Sequence, residues 1–197
     1  MDGASPDLAA FILAGGNSTR MGTDKAFVTI DGRTLLARTL EVAKSVTSDV
    51  RIVGNAGKFA PFAPVVEDIF PGCGPLGGIH AALRSSPAEL NLILAVDVPF
   101  VSFALLQFLI KRARNSAATI TVPRTNQGWQ PLCAIYRREF AHAAEKALRA
   151  SRYRIDALFD QVEIQVIGQK ELESAGFSPK IFHNLNTKED LEATRCD

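Results

Sequence analysis

The sequence is poor in cysteine and carries almost no net charge. Only 3 of its 197 residues are cysteines, and no two of them form a Cys-x-x-Cys pair. An odd number of widely spaced cysteines is not typical of a disulfide framework or a zinc site. The formal net charge of +1 excludes the bulk positive charge that drives non-specific binding to nucleic acids. We therefore expect a cytoplasmic protein, in a reducing compartment, with no nucleic-acid partner.

Long hydrophobic runs are also missing. No run approaches the roughly 18 consecutive apolar residues that a membrane helix needs. The N-terminal apolar run at residues 8–14 is short and follows acidic residues, which does not indicate a signal peptide. No repeat, low-complexity tract or Pro/Gly/Ser-rich linker divides the chain, and its 47% hydrophobic content is that of a globular protein. We predict one domain over residues 1–197, without a membrane partner.

Short apolar runs alternate with segments of helical periodicity along the chain. This alternation predicts βαβ units, and therefore an α/β fold with a mostly parallel sheet between helical layers. The predicted strands cover residues 8–14, 50–53, 64–66, 91–96, 118–122, 131–136 and 162–167, the last as a half-exposed edge. The predicted helices cover residues 33–46, 76–85, 103–114 and 138–149, with a short last helix from Thr187.

The loop after the first predicted strand has the composition of a phosphate-binding loop. Residues 13–25 read LAGGNSTRMGTDK. The adjacent Gly15 and Gly16 allow a close backbone approach to phosphate, and Arg20 and Lys25 supply cations for phosphate oxygens. Neither the GxGxxG fingerprint nor the GxxxxGK[ST] P-loop fits this spacing. We interpret the loop as a site for a nucleotide triphosphate; an ordinary strand-to-helix turn is the alternative.

A candidate metal ligand follows the predicted strand at residues 91–96. Ligands of open α/β sheets bind outside the carboxyl ends of the strands, where Asp97 is expected to lie beside the first loop. Proteins hold Mg²⁺ through one or two carboxylates together with substrate phosphates. We therefore predict that Asp97 binds Mg²⁺; a role in capping the helix near Ser102, or in ending the strand, is the alternative.

The loop motif resembles the signature of the molybdenum cofactor guanylyltransferases, within the nucleotidyltransferases of GT-A-like Rossmann fold. The similarity continues in the family's order through GPLGG (74–78), DVPF (97–100), QPL (130–132) and NLNTKEDL (184–191). Two positions depart from the usual pattern, because the family more often has Ala at Gly77 and Met at Val98. The resemblance implies a Rossmann-like, three-layer α/β/α nucleotidyltransferase fold with a mostly parallel sheet.

The same resemblance implies the nucleotide-binding and catalytic residues. Those implied to bind GTP lie in the first loop and in later turns: Leu13, Ala14, Gly15, Gly16, Lys25, Asn55, Asp68 and Asp97. Those implied to be catalytic are Lys25, Arg20 and Asp97, with Asp97 as the Mg²⁺ ligand. Ordinary turn roles are the alternative for Asn55 and Asp68.

Residues implied to face the pterin substrate are Gly78, Asn184 and Asn186. Backbone permissiveness is the alternative for Gly78. Thr187 is expected to cap the last helix as an alternative role of that segment, and this role does not exclude contact with the pterin. Independently of the resemblance, the segment at residues 124–130 contains Trp129, which could offer a stacking face and a nearby cation to a second substrate. A packed tryptophan is an equally good interpretation. The three histidines share no metal-binding spacing and are predicted not to be ligands.

The implied reaction transfers GMP from GTP to molybdenum-bound molybdopterin and releases pyrophosphate. GTP and molybdenum-molybdopterin are therefore the expected substrates, with transient contact to cofactor-delivery proteins or molybdoenzymes. Cytidylyl transfer to molybdopterin and nucleotidyl transfer to a sugar phosphate are alternatives within the same reaction class. A GTP-binding delivery module without turnover is an alternative of another class. The combination of Lys25, Arg20 and Asp97 argues against it, because binding alone does not require a metal-binding carboxylate.

Overall fold

The computed structural model describes residues 7–15 and 24–183. The strands are β1 Leu8–Leu13, β2 Thr29–Ile30, β3 Arg33–Thr34, β4 Val50–Val53, β5 Val65–Val66, β6 Leu90–Ala95, β7 Ile120–Thr125, β8 Gly128–Trp129, β9 Cys133–Arg137 and β10 Ile164–Gly168. The α-helices are α1 Leu35–Lys44, α2 Ala56–Phe59, α3 Gly74–Ser85, α4 Phe103–Arg114, α5 Phe140–Arg149 and α6 Gln169–Ser174. Short 3-10 helices cover Lys25–Phe27, Asp156–Gln161 and Pro179–Phe182.

The central sheet has the strand order β10-β7-β9-β6-β1-β4-β5, and β8 pairs with β7 outside this path. Strands β6, β1, β4 and β5 are mutually parallel, and β10 is parallel to β7. Strand β9 is antiparallel to both of its neighbours, β6 and β7. The prediction of a mostly parallel α/β sheet is therefore confirmed. The direction of β9 was not predictable from its composition, because a buried strand of either direction is an apolar run.

The two longest parallel strands at the centre are buried on both faces. Strands β1 and β6 pair from Leu8 opposite Leu90 to Leu13 opposite Ala95, and all twelve residues are buried. Successive side chains point to opposite faces, so Phe11 packs in one apolar core and Ile12 in the other. Burying one such side chain contributes about 1.5–3 kcal/mol. Each strand is thus stabilised by apolar packing on both of its faces, and only the residues beyond its ends are available for a site.

Helix α4 begins at a serine cap. The Ser102 hydroxyl accepts a hydrogen bond of 3.3 Å from the backbone N–H of Leu105. Three basic residues in its last turn suit the negative end of the helix dipole. Since Ser102 caps α4, the alternative that assigned this cap to Asp97 is wrong.

Several predicted boundaries shift, and some short elements were not predicted. Helix α3 begins at Gly74 instead of residue 76, and the predicted strand at 118–122 runs from Ile120 to Thr125. The β2–β3 hairpin was missed, although its Asp31-Gly32 turn has positive φ angles of 48° and 77°, as an Asp-Gly hairpin turn requires. The predicted edge strand is confirmed as β10. The helix predicted from Thr187 lies outside the described residues. A search for membrane-spanning helices within residues 7–15 and 24–183 finds none.

Candidate active site

Four parallel strands end at the same edge of the sheet and place polar residues there. Gly15 follows β1, Asn55 follows β4, Asp68 follows β5, and Asp97 follows β6. The Gly15 N–H donates to the carbonyl oxygen of Val53 at 3.1 Å, so the first loop leaves β1 in contact with the end of β4. The structure therefore brings the described residues of the predicted nucleotide site to one edge, as parallel strands require.

Lys25 and Asp97 form an ion pair at this edge. The distance between Lys25 Nζ and Asp97 Oδ2 is 3.1 Å, and the two side chains are 22% and 19% exposed. Lys25 begins the 3-10 helix Lys25–Phe27, which is capped by Asp24: its Oδ1 accepts a hydrogen bond of 2.9 Å from Ala26 N–H. The cap fixes the backbone from which the Lys25 side chain reaches a carboxylate 72 residues away in the sequence.

A second ion pair joins the end of the first loop to α2. Lys58 pairs with Asp24, and its Nζ lies 5.5 Å and 5.2 Å from the ring centroids of Phe27 and Phe59. Asp24 therefore both caps one helix and pairs with another. Asp24 belongs to the quoted loop motif but had no predicted role, and Lys58 was missed. No spacing in the sequence signals this pair, because only the tertiary fold brings α2 to the loop.

Asn55 and Asp68 keep their side chains at the surface of the edge. Asn55 is the N-cap residue of α2, yet its side chain makes no capping hydrogen bond. Glu67 supplies that bond instead: its Oε1 accepts from Ala56 N–H at 3.1 Å. The pKa of Asp68 is raised above its ordinary value, because the surrounding protein partly desolvates its carboxyl group. Both side chains are exposed, as residues that contact a ligand at this edge need to be.

Gly77 and Gly78 of α3 are accounted for by packing. A Cβ atom on Gly78 would lie 3.2 Å from a side-chain carbon of Leu13 and 3.4 Å from one of Val53. The missing side chain thus lets α3 pack against β1 and β4, and contact between Gly78 and a pterin stays a prediction. A Cβ on Gly77 would lie 2.9 Å from the carbonyl oxygen of Phe70. This close backbone approach explains glycine where the family more often has alanine.

A hairpin of β7 and β8 lies at the other half of the sheet. Arg124 pairs with Trp129 across it, and the Arg124 guanidinium carbon lies 4.7 Å from the indole centroid. The Trp129 ring also meets Phe159 nearly at right angles, with centroids 4.9 Å apart. Trp129 is therefore half-buried and packed, with Arg124 on its ring. In the turn of this hairpin, Gln127 Nε2 lies 3.4 Å from His183 Nε2.

Four predicted site residues lie outside the described part of the chain: Gly16, Arg20, Asn184 and Asn186. Their roles stay predictions. In sequence, His183 directly precedes Asn184.

The donor set suits a cation that is held together with a substrate. Within residues 7–15 and 24–183, no group of three or more His, Cys, Asp or Glu side chains could hold a metal ion by itself. Asp97 provides one carboxylate at the edge of the sheet, which matches the way Mg²⁺ binds through few protein ligands and substrate phosphates. Cys133 is buried, which raises the pKa of its thiol to about 12, so it is an inert core thiol.

Comparisons with known proteins agree with this geometry. Residues 10–164 match the family described as MobA-like NTP transferase domain. The molybdenum cofactor guanylyltransferase of Desulfosudis oleivorans is 36% identical over 188 residues, which cover 94% of this chain and 93% of that protein. A protein of the same name from Syntrophotalea carbinolica is 30% identical, over 95% of this chain and 90% of its own length.

Solved structures show the same fold. The molybdopterin-guanine dinucleotide biosynthesis protein A of Archaeoglobus fulgidus superposes with a TM-score of 0.82 at 26% identity, covering 95% of this chain and 98% of that one. A 2-C-methyl-D-erythritol 4-phosphate cytidylyltransferase from Thermus thermophilus superposes with a TM-score of 0.71 at 18% identity, over 97% of this chain and 98% of its own. The second similarity concerns the fold alone.

Proposed function

Because the chain belongs to the family of MobA-like NTP transferase domains, we propose that its Lys25–Asp97 edge is the active site of a molybdenum cofactor guanylyltransferase. The enzyme is a nucleotidyltransferase that transfers GMP from GTP to molybdenum-molybdopterin and releases pyrophosphate. The observation that carries this assignment is the ion pair between Lys25 and Asp97, whose charged atoms lie 3.1 Å apart. It joins the cation of the first loop to the carboxylate that follows β6.

GTP is proposed to lie along the β1, β4 and β5 end of the edge. The backbone N–H of Gly16 and the cations of Arg20 and Lys25 would hold its phosphates, beside Leu13, Ala14 and Gly15. The Gly15 N–H itself donates to the carbonyl oxygen of Val53, so Gly15 would contribute a close backbone approach. The nucleoside would extend toward Asn55 and Asp68, whose side chains are exposed there. The Asn55 amide can donate and accept hydrogen bonds and the Asp68 carboxylate can accept them, and such bonds distinguish one base or ribose from another.

Enzymes of this type use a divalent cation, and we propose Mg²⁺ held by Asp97. When bound, the ion would supply positive charge to the phosphates as charge develops on them. Lys25 would remain beside both the carboxylate and the phosphates, because it starts from a capped backbone at that place. Asp97 would thus position the metal ion, and Lys25 would provide a second positive charge.

The chemistry asked of the chain is positioning and charge neutralisation. An oxygen of the acceptor phosphate attacks the α-phosphorus of GTP and forms a new P–O bond, while the bond from the α-phosphorus to the bridging oxygen breaks. The electron pair of that bond leaves with pyrophosphate. The attacking phosphate is already anionic at neutral pH, so no general base is required. Lys25 and Arg20 contribute by preorganised positive charge, which often accounts for a large share of rate enhancement.

Asn184, Asn186 and Gly78 are proposed to contact the pterin, and contact with delivery proteins or molybdoenzymes stays a prediction.

We also propose that residues 1–197 form one nucleotidyltransferase domain, since elements from Leu8 to Gly168 contribute to one sheet. The cytoplasmic location stays a prediction.

The decisive experiment measures pyrophosphate release and nucleotide transfer with GTP, CTP, ATP and UTP separately. Each reaction contains Mg²⁺ and molybdenum-loaded molybdopterin. We expect transfer with GTP only, and a dinucleotide product that contains guanine. Preferred transfer of cytidylate would overturn the guanylyl assignment and leave the fold and the reaction class intact. GTP binding without any transfer would support the delivery module instead.

A further inference from the structure

Arg124 differs in its contacts from a typical arginine of this protein. Arg137, for example, pairs with the carboxylate of Glu89. Among the residues that the structure describes, Arg124 has no carboxylate partner and no side-chain hydrogen bond; its guanidinium lies over the Trp129 ring at 4.7 Å. Phe159 packs against that ring in turn. The result is an exposed cation whose position is set by an aromatic side chain anchored in the core.

The strand order places this cation across the active site from the proposed nucleotide residues. Strand β6 carries Asp97 at its end; β1, β4 and β5 lie on one side of it, and β9, β7 and β10 lie on the other. Strands β6 and β7 are separated by β9 alone, which corresponds to about 10 Å between them. Both are antiparallel to β9, so they run in the same direction, and Arg124 lies near the end of β7 at the edge that Asp97 occupies.

An in-line transfer separates the two substrates in the same way. The attacking phosphate and the leaving pyrophosphate lie on opposite sides of the α-phosphorus. If GTP fills the half of the edge formed by β1, β4 and β5, the acceptor phosphate reaches the Lys25–Asp97 pair from the half formed by β9 and β7. The heterocycle attached to that phosphate then extends away from the pair, toward the β7–β8 hairpin.

We propose that Arg124, held on Trp129, binds the planar heterocycle of the acceptor by stacking its guanidinium against the ring. This inference rests on the proposed function, which makes the acceptor a pterin. A guanidinium stacks on aromatic faces, and its N–H groups can also donate to ring nitrogens and carbonyl oxygens. Trp129 is a positioning residue in this arrangement: it covers one face of the cation and leaves the other for the ligand.

The test compares Arg124→Ala and Arg124→Lys with Arg138→Ala, a control at an exposed arginine at the opposite edge of the sheet. Steady-state GMP transfer gives kcat and the KM values for GTP and for molybdenum-molybdopterin. We expect Arg124→Ala to raise the acceptor KM about tenfold, with kcat and the KM for GTP within about twofold of the parent. Arg124→Lys keeps the charge but loses the planar group, so its acceptor KM stays raised about fivefold.

A second readout measures binding without turnover. Quenching of 6-hydroxymethylpterin fluorescence by the protein reports stacking on a ring that carries no phosphate. We expect about tenfold weaker binding of this probe to Arg124→Ala than to the parent or to Arg138→Ala. The Lys variant answers the same question if the Ala variant does not fold.

The outcomes separate this inference from the proposed function. Equal acceptor KM values for the Arg124 and Arg138 variants, with normal GMP transfer, would overturn the stacking role and leave the proposed function standing. A raised acceptor KM with unchanged pterin binding, or full rescue by lysine, would also overturn it, because Arg124 would then act as a charge on the phosphate. Absence of GMP transfer by the parent protein, with pterin binding still dependent on Arg124, would instead contradict the proposed function.

Discussion

The ammonium of Lys25 donates a hydrogen bond of 3.1 Å to a carboxylate oxygen of Asp97, across 72 positions of sequence. About one fifth of each side chain is exposed, so the pair is less screened by water than an ion pair at the surface. The two groups are also those to which we assign phosphate binding and cation binding. The pair therefore keeps both charges at the reacting centre, and substitutions at its two ends are expected to have different effects.

Substitution of Asp97 by Asn tests the cation-binding role. Asn preserves the shape and a carbonyl oxygen but removes the charge that a hard cation requires. We expect turnover at saturating Mg²⁺ to fall at least about 10²-fold, as for the loss of a preorganised charged group, while GTP affinity measured by calorimetry falls less.

Asp49→Asn is the matched control for that experiment. The Asp49 side chain is 22% exposed and pairs with Arg51 at 2.8 Å, but it lies at the opposite end of β4 from the active site. The turnover of the Asp49→Asn variant should equal that of the parent protein. Turnover of Asp97→Asn within a few-fold of the parent would eliminate the metal role of Asp97.

Substitution of Lys25 by Ala tests the phosphate-binding cation. The next residue, Ala26, belongs to an apolar core, but the Lys25 side chain is 22% exposed and extends to Asp97, so its loss opens no cavity in that core and the thermal midpoint should change little. Loss of one preorganised cation is expected to lower kcat about 10²–10³-fold. Lys44→Ala, at the last turn of α1, is the control that removes an exposed lysine elsewhere. Near-parent turnover of a folded Lys25→Ala protein would show that the phosphates bind elsewhere.

Substitution of Gly77 by Ala sets helix propensity against packing. Alanine in a helix interior is favoured over glycine by up to about 1 kcal/mol. At Gly77, however, its Cβ would lie 2.9 Å from the Phe70 carbonyl oxygen, a backbone atom that cannot rotate away. We expect the free energy of unfolding to fall by about 1–3 kcal/mol, as in other overpacked sites, measured by chemical denaturation.

Gly78→Ala is the comparison within the same helix. Its Cβ would meet a side-chain carbon of Leu13 at 3.2 Å, and a side chain can shift where a backbone carbonyl cannot. The loss of stability should therefore be smaller at Gly78 than at Gly77. An increase in stability for Gly77→Ala would contradict the close approach of Phe70 to α3.

Stability at mildly acidic pH is expected to depend on His80. This side chain is 2% exposed beneath Phe70, and desolvation lowers its pKa, partly opposed by Glu145, whose Oε2 lies 3.7 Å from His80 Nε2. A lowered pKa means that the unfolded chain takes up the proton first. The free energy of unfolding should therefore decrease as the pH falls below about 6.5, by at most about 1.4 kcal/mol per pH unit from this group. Above that pH, His80 is neutral in both the folded and the unfolded chain and does not change the stability.

The measurement is the difference in unfolding free energy between the parent and His80→Leu from pH 5 to pH 8. This difference removes the titration of the groups that the two proteins share. We expect it to be constant above pH 7 and to shift in favour of the leucine variant as the pH is lowered. A difference that does not change with pH would show that His80 titrates normally in the folded protein.

The sequence by itself determined the α/β class, the central strands and the order of the motifs. These features depend on local patterns: continuous apolar runs at β1 and β6 require burial on both faces, and the composition of residues 13–25 predicts phosphate binding wherever that loop lies. The expected meeting of Gly15 and Asp97 at one edge also followed, because parallel strands share their direction.

Only the tertiary structure decided the direction of β9, the pairing of Lys58 with Asp24, the packing of Gly77 and Gly78, and the placement of Arg124 on Trp129. Each of these depends on which surfaces meet after the chain has folded, and residues far apart in sequence carry no local signal of their contact. Glycine in α3 shows the difference well. The missing side chain of Gly78 suggested a close approach of ligand, which stays a prediction. The structure adds that a Cβ at Gly78 would lie 3.2 Å from a side-chain carbon of Leu13, because helix and sheet are closely packed there.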